Sequence, residues 1–153
     1  SDTRKTMPGL RELQKYAVRV GGGYNHRISL DEMILIKDNH IRITEGYNKL
    51  PKIPKGFKIE IEAQNLDEFK HALQFKPDLI MLDNMPVNDI KQAVEIRNAT
   101  DFTKSHHPKT KLEASGGITL ENIRGVAETG VDIISLGDLT HSVDAVDISL
   151  DVV

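Results

Sequence analysis

The stretch Asp78-Leu79-Ile80-Met81-Leu82-Asp83-Asn84, "DLIMLDN", decides how the rest of the chain is read. Its apolar run is continuous rather than alternating, as in a parallel strand covered on both faces. Two polar residues follow the run at once, where such a strand would end. Upstream, Leu66 to Phe75 has helical spacing, with Leu66, Phe69, Ala72 and Leu73 on one side. Before it, Lys58 to Ala63 alternates, with Ile59, Ile61 and Ala63 on one face and Lys58, Glu60 and Glu62 on the other. Downstream, Val87 to Ile96 reads as a helix with Val87, Ile90, Ala93 and Val94 inward. The polar stretch Asn98 to Lys111 then leads into the short strand Lys111 to Ala114. Strands alternating with helices in this way imply βαβ units and a parallel sheet or barrel.

The ends of the chain extend the pattern. Leu10, Leu13, Ala17 and Val20 recur at helical spacing until Gly21-Gly22-Gly23 interrupts them. Met33 to Ile36 reads as a buried strand, and residues 42–57, with two prolines and two glycines, as mostly loop. Thr119 is placed to cap a helix whose Ile123, Val126 and Ala127 face inward, and Asp132 to Leu136 is the last strand.

Polar residues follow each strand: Lys37-Asp38-Asn39-His40, Glu62, Asp83-Asn84, Ser115-Gly116-Gly117 and Gly137. In a parallel α/β barrel these positions gather at the C-terminal rim, where active sites are built. Bulk properties agree with one such domain. The chain has 153 residues, a net charge of -3 and no cysteine. Disulfides and thiolate metal sites are thereby excluded, and the mild, interleaved charge speaks against a nucleic-acid or membrane surface. With no apolar run near the roughly 20 residues of a membrane span and no signal peptide, a soluble cytoplasmic protein is expected. The start, Ser1-Asp2-Thr3-Arg4-Lys5, lacks an initiator methionine, which points to a processed product or a fragment.

Arg4, Lys5, Arg27 and Lys37 form a cationic set with His26 and His40 close by. Singly, each suits a solvated surface. Lys37 differs because it closes a strand that should be covered; a buried lysine needs an anion, either a ligand or a neighbouring carboxylate. Glu62 and Asp83 have two readings: ion pairs with Lys5 or Lys37, or carboxylates that hold magnesium through water beside a phosphorylated substrate. Glu60, on the face of Glu62 but one layer deeper, needs a buried partner. Ser115-Gly116-Gly117 before a helix has the form of a phosphate cradle, and its place after the penultimate strand, with Gly137 after the last, strengthens it. His106-His107 has no further zinc ligands nearby and reads as surface. The residues thus point to an enzyme that handles an anionic phosphorylated substrate with magnesium.

Collinear motifs carry a family resemblance: TRKTMPGL (Thr3 to Leu10), GGGYNHR (Gly21 to Arg27), LIKDNHI (Leu35 to Ile41), IEIEAQNLDE (Ile59 to Glu68), LIMLDNM (Leu79 to Met85), LEASGGITLENI (Leu112 to Ile123) and ISLGDLTHS (Ile134 to Ser142). Together they resemble the barrel domain of the nicotinate-nucleotide pyrophosphorylase (carboxylating), or quinolinate phosphoribosyltransferase, family. The resemblance implies an irregular, TIM-like parallel α/β barrel of about six strands over residues 1–153. It implies transfer of phosphoribosyl from 5-phosphoribosyl 1-diphosphate to quinolinate, with decarboxylation to nicotinate mononucleotide and release of pyrophosphate, in NAD biosynthesis. By motif, Arg4, His26, Arg27 and Lys37 would meet the quinolinate carboxylates, and Lys5 the diphosphate. Glu62 and Asp83 would serve the ribose and a water-bridged Mg²⁺; Ser115, Gly116, Gly117, Gly137 and His141 would hold the 5′-phosphate.

The family also implies a homo-oligomer, a dimer or dimer-based hexamer, and an N-terminal domain ahead of the TRKT motif that covers the barrel mouth. The chain is therefore expected to begin inside the first barrel strand, without that domain. Two departures stand out: prolines within residues 42–57, where relatives place a helix, and Asp138, where many have a small apolar residue. The alternatives are a related phosphoribosyltransferase or pyrophosphorylase-like enzyme with another substrate, and a catalytically silent barrel fragment that binds ligand or oligomerises.

Overall fold

In the computed structural model, residues 1–49, 54, 56–100 and 109–152 are described. Five strands run β1 Met33–Ile36, β2 Lys58–Ala63, β3 Leu79–Asp83, β4 Lys111–Ser115 and β5 Ile133–Ile134. Every neighbouring pair is parallel, and the order in the sheet is the order in the chain. Between and before them lie α1 Arg11–Val20, α2 Asp38–Ile43, α3 Leu66–Gln74, α4 Val87–Ala99 and α5 Ile123–Ala127. Parallel strands in sequential order, with helices as the connections, wind an α/β barrel. Beyond β5 the ladder is taken up by the chain's first residues. The Ser1 ammonium donates to the Ile134 carbonyl at 2.6 Å, and Leu136 N–H donates to the Ser1 carbonyl at 3.0 Å. Asp2 N–H in turn donates to the Tyr24 carbonyl at 2.9 Å. The expected sixth strand is thus present as a short hydrogen-bonded segment rather than a full strand.

The two faces of the sheet have opposite chemistry. Ile36, Ile61, Ala63, Ile80, Leu82, Leu112 and Ala114 pack against Phe69, Ala72 and Leu73 of α3 and Ile90, Ala93 and Val94 of α4. The apolar core therefore lies between strands and helices, where hydrophobic burial is largest. The alternate residues face the other way: Glu62, Met81, Asp83, Glu113 and Ser115 line a cavity inside the strand ends. Helix α3 is capped as its sequence invites. The Asn65 side chain accepts from Glu68 N–H at 2.9 Å while the Glu68 carboxylate accepts from Gln64 N–H at 2.9 Å.

Several local expectations need correcting. Helix α1 does not bury Leu10, Leu13, Ala17 and Val20; it buries Lys15 and Val18. Polar fastening overrides the apolar pattern here. Lys15 Nζ lies 2.8 Å from Asp2 Oδ1 and also donates to the His26 and Arg27 carbonyls at 3.2 and 3.1 Å. Residues 42 and 43, read as the start of a loop, close helix α2, whose first turn is capped by the His40 ring accepting from Lys37 N–H at 2.9 Å. Tyr47–Lys49 adds a 3₁₀ turn within the segment read as loop. Val87 and Ala127 are exposed, and the last strand shortens to two residues. Thr119 is not the cap of α5; Asn122 precedes that helix, and its side chain accepts from Thr119 N–H at 2.9 Å. The pair His106-His107 lies outside the described residues.

One further buried cation ties the layers together. Arg97 of α4 donates to Asp132 Oδ2 at 2.6 Å and to the Thr110 carbonyl at 3.1 Å. The same Asp132 oxygen accepts from Leu112 N–H at 2.8 Å. Lys15–Asp2 is the more enclosed of these two pairs, at 3% and 0% exposure against 4% and 34% for Arg97–Asp132. Removing one partner of such a pair leaves an uncompensated buried charge, so Lys15→Ala is expected to cost about 3–5 kcal/mol in urea unfolding. A loss below about 1 kcal/mol would mean that this pair does not anchor α1.

Candidate active site

At the C-terminal ends of the strands lies a cavity of about 500 Å³. Arg4, Lys5, His26, Arg27, Lys37, Glu62, Asp83, Ser115, Gly116, Gly117, Gly137 and His141 all line it, so these twelve candidates meet at one place, whereas His40 caps α2 and Glu60 lies deeper. The strand ends deliver Lys37, Glu62, Asp83 and Ser115. The turn after α1, held by the Lys15 contacts, delivers His26 and Arg27.

The cationic wall has donors to spare. Arg4 and Lys5 are exposed. Arg27 donates through Nη1 to the Met33 carbonyl at 3.3 Å, while its buried Nε has no partner among the described residues. Burial and the nearby Arg4 pull its pKa down, opposed by Glu60. Lys37 is half exposed and reaches Glu62 Oε2 at 2.7 Å, with Glu62 itself buried. The neighbouring carboxylate is therefore the anion that Lys37 holds.

Opposite stands the glycine wall. Asn84 adopts a left-handed backbone with φ 54° and donates its N–H to the Ser115 carbonyl at 2.8 Å, carrying the β3–β4 ladder one residue past the strand. Its side chain then lies against Gly116, where a Cβ would come within 2.5 Å of it; Gly116 also has φ +84°. Among the described residues, the N–H groups of Gly116, Gly117 and Ile118 meet no protein acceptor. The helix that was to follow directly begins only at Ile123 and has five residues, so these backbone donors, not a helix terminus, form the cradle. At Gly137 a Cβ would come within 2.3 Å of His141 Nε2; the missing side chain is what lets the imidazole lie there. Asp138 also lines the cavity.

Two further carboxylates stand on the inner face of the sheet: Glu60, and Glu113, which lines the cavity and is absent from the candidates above. His26 Nε2 lies 3.3 Å from Glu60 Oε2 and 3.4 Å from Glu113 Oε2, and both glutamates are fully buried. These are ion-pair contacts rather than well-formed hydrogen bonds, since all four carboxylate oxygens lack a hydrogen-bonding donor. Burial alone would lower the His26 pKa, but its contacts with Glu113 and Glu60 outweigh this and raise it to about 9. Burial pushes Glu60 up. Glu113 stands two residues before Ser115, just as Glu60 stands two before Glu62, so the alternation itself was the available signal. Asp2 had none.

A parallel α/β barrel whose mouth is lined by cations, carboxylates and glycines defines the class: an α/β-barrel domain with a charged, glycine-bearing rim. The chain belongs to the family described as quinolinate phosphoribosyl transferase, C-terminal domain, which it matches over residues 1–151. It is 45% identical to the nicotinate-nucleotide pyrophosphorylase (carboxylating) of Mycobacterium leprae, over 98% of this chain and 52% of that one. It is 40% identical to the chloroplastic enzyme of that name from Arabidopsis thaliana, over 97% of this chain and 47% of that one. The solved nicotinate-nucleotide pyrophosphorylase of Francisella tularensis superposes with a TM-score of 0.81 at 46% identity, covering 97% of this chain and 50% of that one. The chain spans about half the length of the curated relatives it matches.

Two outcomes follow from this geometry. Gly116→Ala forces an L residue into a positive φ and displaces Asn84, so a stability loss of about 1–3 kcal/mol in chemical denaturation is expected, with weaker phosphate binding by calorimetry. His26 has its pKa raised from 6.5 to about 9. Its contribution to stability is thus fully present below pH 6.5 and lost as pH rises through about 9. Urea midpoints taken across that range should fall, and fall less in His26→Asn.

Proposed function

We propose that the chain forms the catalytic barrel of a quinolinate phosphoribosyltransferase. The reaction moves phosphoribosyl from 5-phosphoribosyl 1-diphosphate to the quinolinate nitrogen, with loss of carbon dioxide and release of pyrophosphate. The observation that carries this reading is the convergence of four permanent cations, two rim carboxylates and a glycine cradle on one cavity. A pyridine dicarboxylate needs several cations, and arginine can pair with a carboxylate through two parallel bonds.

In this reading Arg4, His26, Arg27 and Lys37 bind the two carboxylates and orient the ring nitrogen toward the ribose. Arg27 Nε is an open donor for that role. Lys37 can exchange Glu62 for a substrate carboxylate, which frees Glu62 for the ribose. Lys5 faces the diphosphate as it departs with the bonding electron pair of the C1–O bond. The 5′-phosphate sits against Ser115, Gly116, Gly117, Gly137 and His141, and the free backbone donors there meet its oxygens. N-ribosylation turns the ring into a pyridinium, whose positive nitrogen stabilises the electron pair left at C2 when the 2-carboxylate departs as carbon dioxide, and a proton from water then takes up that pair.

Magnesium belongs to the proposal as well. Glu62 and Asp83 offer oxygen donors on adjacent strands at one rim, which suits a hard cation that keeps most of its water. Bound there, it would offset the charge of the diphosphate. The whole protein, on this reading, is a cytoplasmic homo-oligomer acting on small molecules; no helix among the described residues is long and apolar enough to cross a membrane.

The test is pyrophosphate release from magnesium phosphoribosyl diphosphate by this chain, with and without quinolinate and with nicotinate in its place. Quinolinate-dependent release, lost by ~10²-fold or more in Lys37→Ala, is the expected outcome. Equal turnover of nicotinate would remove quinolinate as the substrate. Calorimetric binding of quinolinate without turnover would identify a barrel that binds but does not catalyse.

A further inference from the structure

Glu60 and Glu113, the second of which lines the cavity, have no place in the roles above. They are fully buried, they come from β2 and β4 with β3 between them, and none of their oxygens receives a hydrogen bond. Two uncompensated carboxylates in a barrel interior are costly. The cation that touches both is one edge of one ring, His26 Nε2, at 3.3 and 3.4 Å.

We infer that Glu60 and Glu113 are positioning residues for His26: they turn Nε2 into the barrel, keep the ring an imidazolium, and leave Nδ1–H for the cavity. A ring whose Nε2 lies between two carboxylates from different strands cannot flip without placing a carbon against both. Two carboxylates beside Nε2 favour the protonated ring more strongly than a single one would. The raised pKa of His26 agrees with this. The other groups near the cluster are few. Arg27 acts on Glu60, the Ser1 ammonium on Glu113, and Arg4 on Arg27. Asp2 accepts from the His26 backbone N–H at 2.7 Å, and Lys15 holds the His26 carbonyl. These last two fix the backbone of the turn, so the ring's orientation and charge fall to Glu60 and Glu113.

The consequence is a fixed cation at neutral pH that stands between the glutamate pair and an anionic ligand in the cavity. The inference rests on the proposed function only for what Nδ1–H meets, a substrate carboxylate.

The experiment is ¹⁵N NMR of histidine-labelled chain, with the His26 ring assigned through His26→Asn, titrated from pH 5.5 to 10 in wild type, Glu60→Gln, Glu113→Gln and Glu113→Asp. The expected result is an imidazolium that deprotonates near pH 9 in wild type and moves toward the ordinary 6.5 in the glutamine variants. Glu113→Asp should recover part of the shift. Dispersed backbone amide spectra identify the variants that fold; because glutamine is isosteric with glutamate, at least the single variants supply the comparison. Quinolinate affinity by calorimetry should weaken by ~10-fold or more at pH 8 in the glutamine variants and less at pH 6. A neutral His26 at pH 7 in wild type, or a pKa unmoved in both glutamine variants, overturns the inference. So does tight zinc uptake that shifts His26 Nε2 and disappears in Glu60→Gln, since the cluster would then be a metal site. An unmoved quinolinate affinity alongside the expected NMR shift would leave the positioning intact and remove quinolinate from the site.

Discussion

The ion pair between Asp2 and Lys15 is the constraint on which the functional end of the barrel depends. Both side chains are almost wholly enclosed. Asp2 divides its oxygens among Lys15 Nζ at 2.8 Å, the His26 backbone N–H at 2.7 Å and the Asn25 side chain at 2.6 Å. Lys15 spends its remaining protons on the carbonyls of His26 and Arg27. One pair thereby fixes the first residues against α1 and against the turn that carries His26 and Arg27. Without it, the turn would have few other anchors and the cationic wall no fixed place. A pair of this kind contributes little net stability compared with apolar packing, but it specifies a single arrangement.

The barrel is organised inside out relative to a simple globule. Its apolar material lies between strands and helices, and its axis holds glutamates, a histidine and a serine. That division lets the hydrophobic effect do the folding on one face of the sheet while the other face stays free for charge. It also explains why charged residues sit on strands without disrupting them. The sheet is held from outside, so the inner face can carry groups that would be intolerable in an ordinary core if they lacked partners.

How much of this could be read from the chain depends on the range of the interaction. The five strands were legible because each is a short apolar or alternating run with polar residues at its end, and a parallel barrel gathers those ends by geometry alone. The twelve candidate residues converge for the same reason. What escaped depends on contacts between distant residues. The apolar stripe of α1 predicted the wrong inward face because Lys15 answers to Asp2, thirteen positions away. Helix α2 escaped because His40 caps it through a side chain, which no periodicity shows. Glu113 was overlooked beside Ser115, although its spacing repeats that of Glu60 and Glu62; its meaning appears only once His26 is placed between the strands.

Asn84 joins the two halves of the rim. Its N–H extends the backbone ladder past the end of β3 to Ser115, and its side chain rests on Gly116. The carboxylate side of the cavity and the glycine side are therefore parts of one continuous hydrogen-bonded frame. Folding has already removed the conformational freedom that separates them, so a ligand spanning both sides loses little further entropy in bringing them together. A small ligand that touches only one side gains no ordering of the other in return. Such a frame favours a single extended molecule over two independent fragments of the same total contact area.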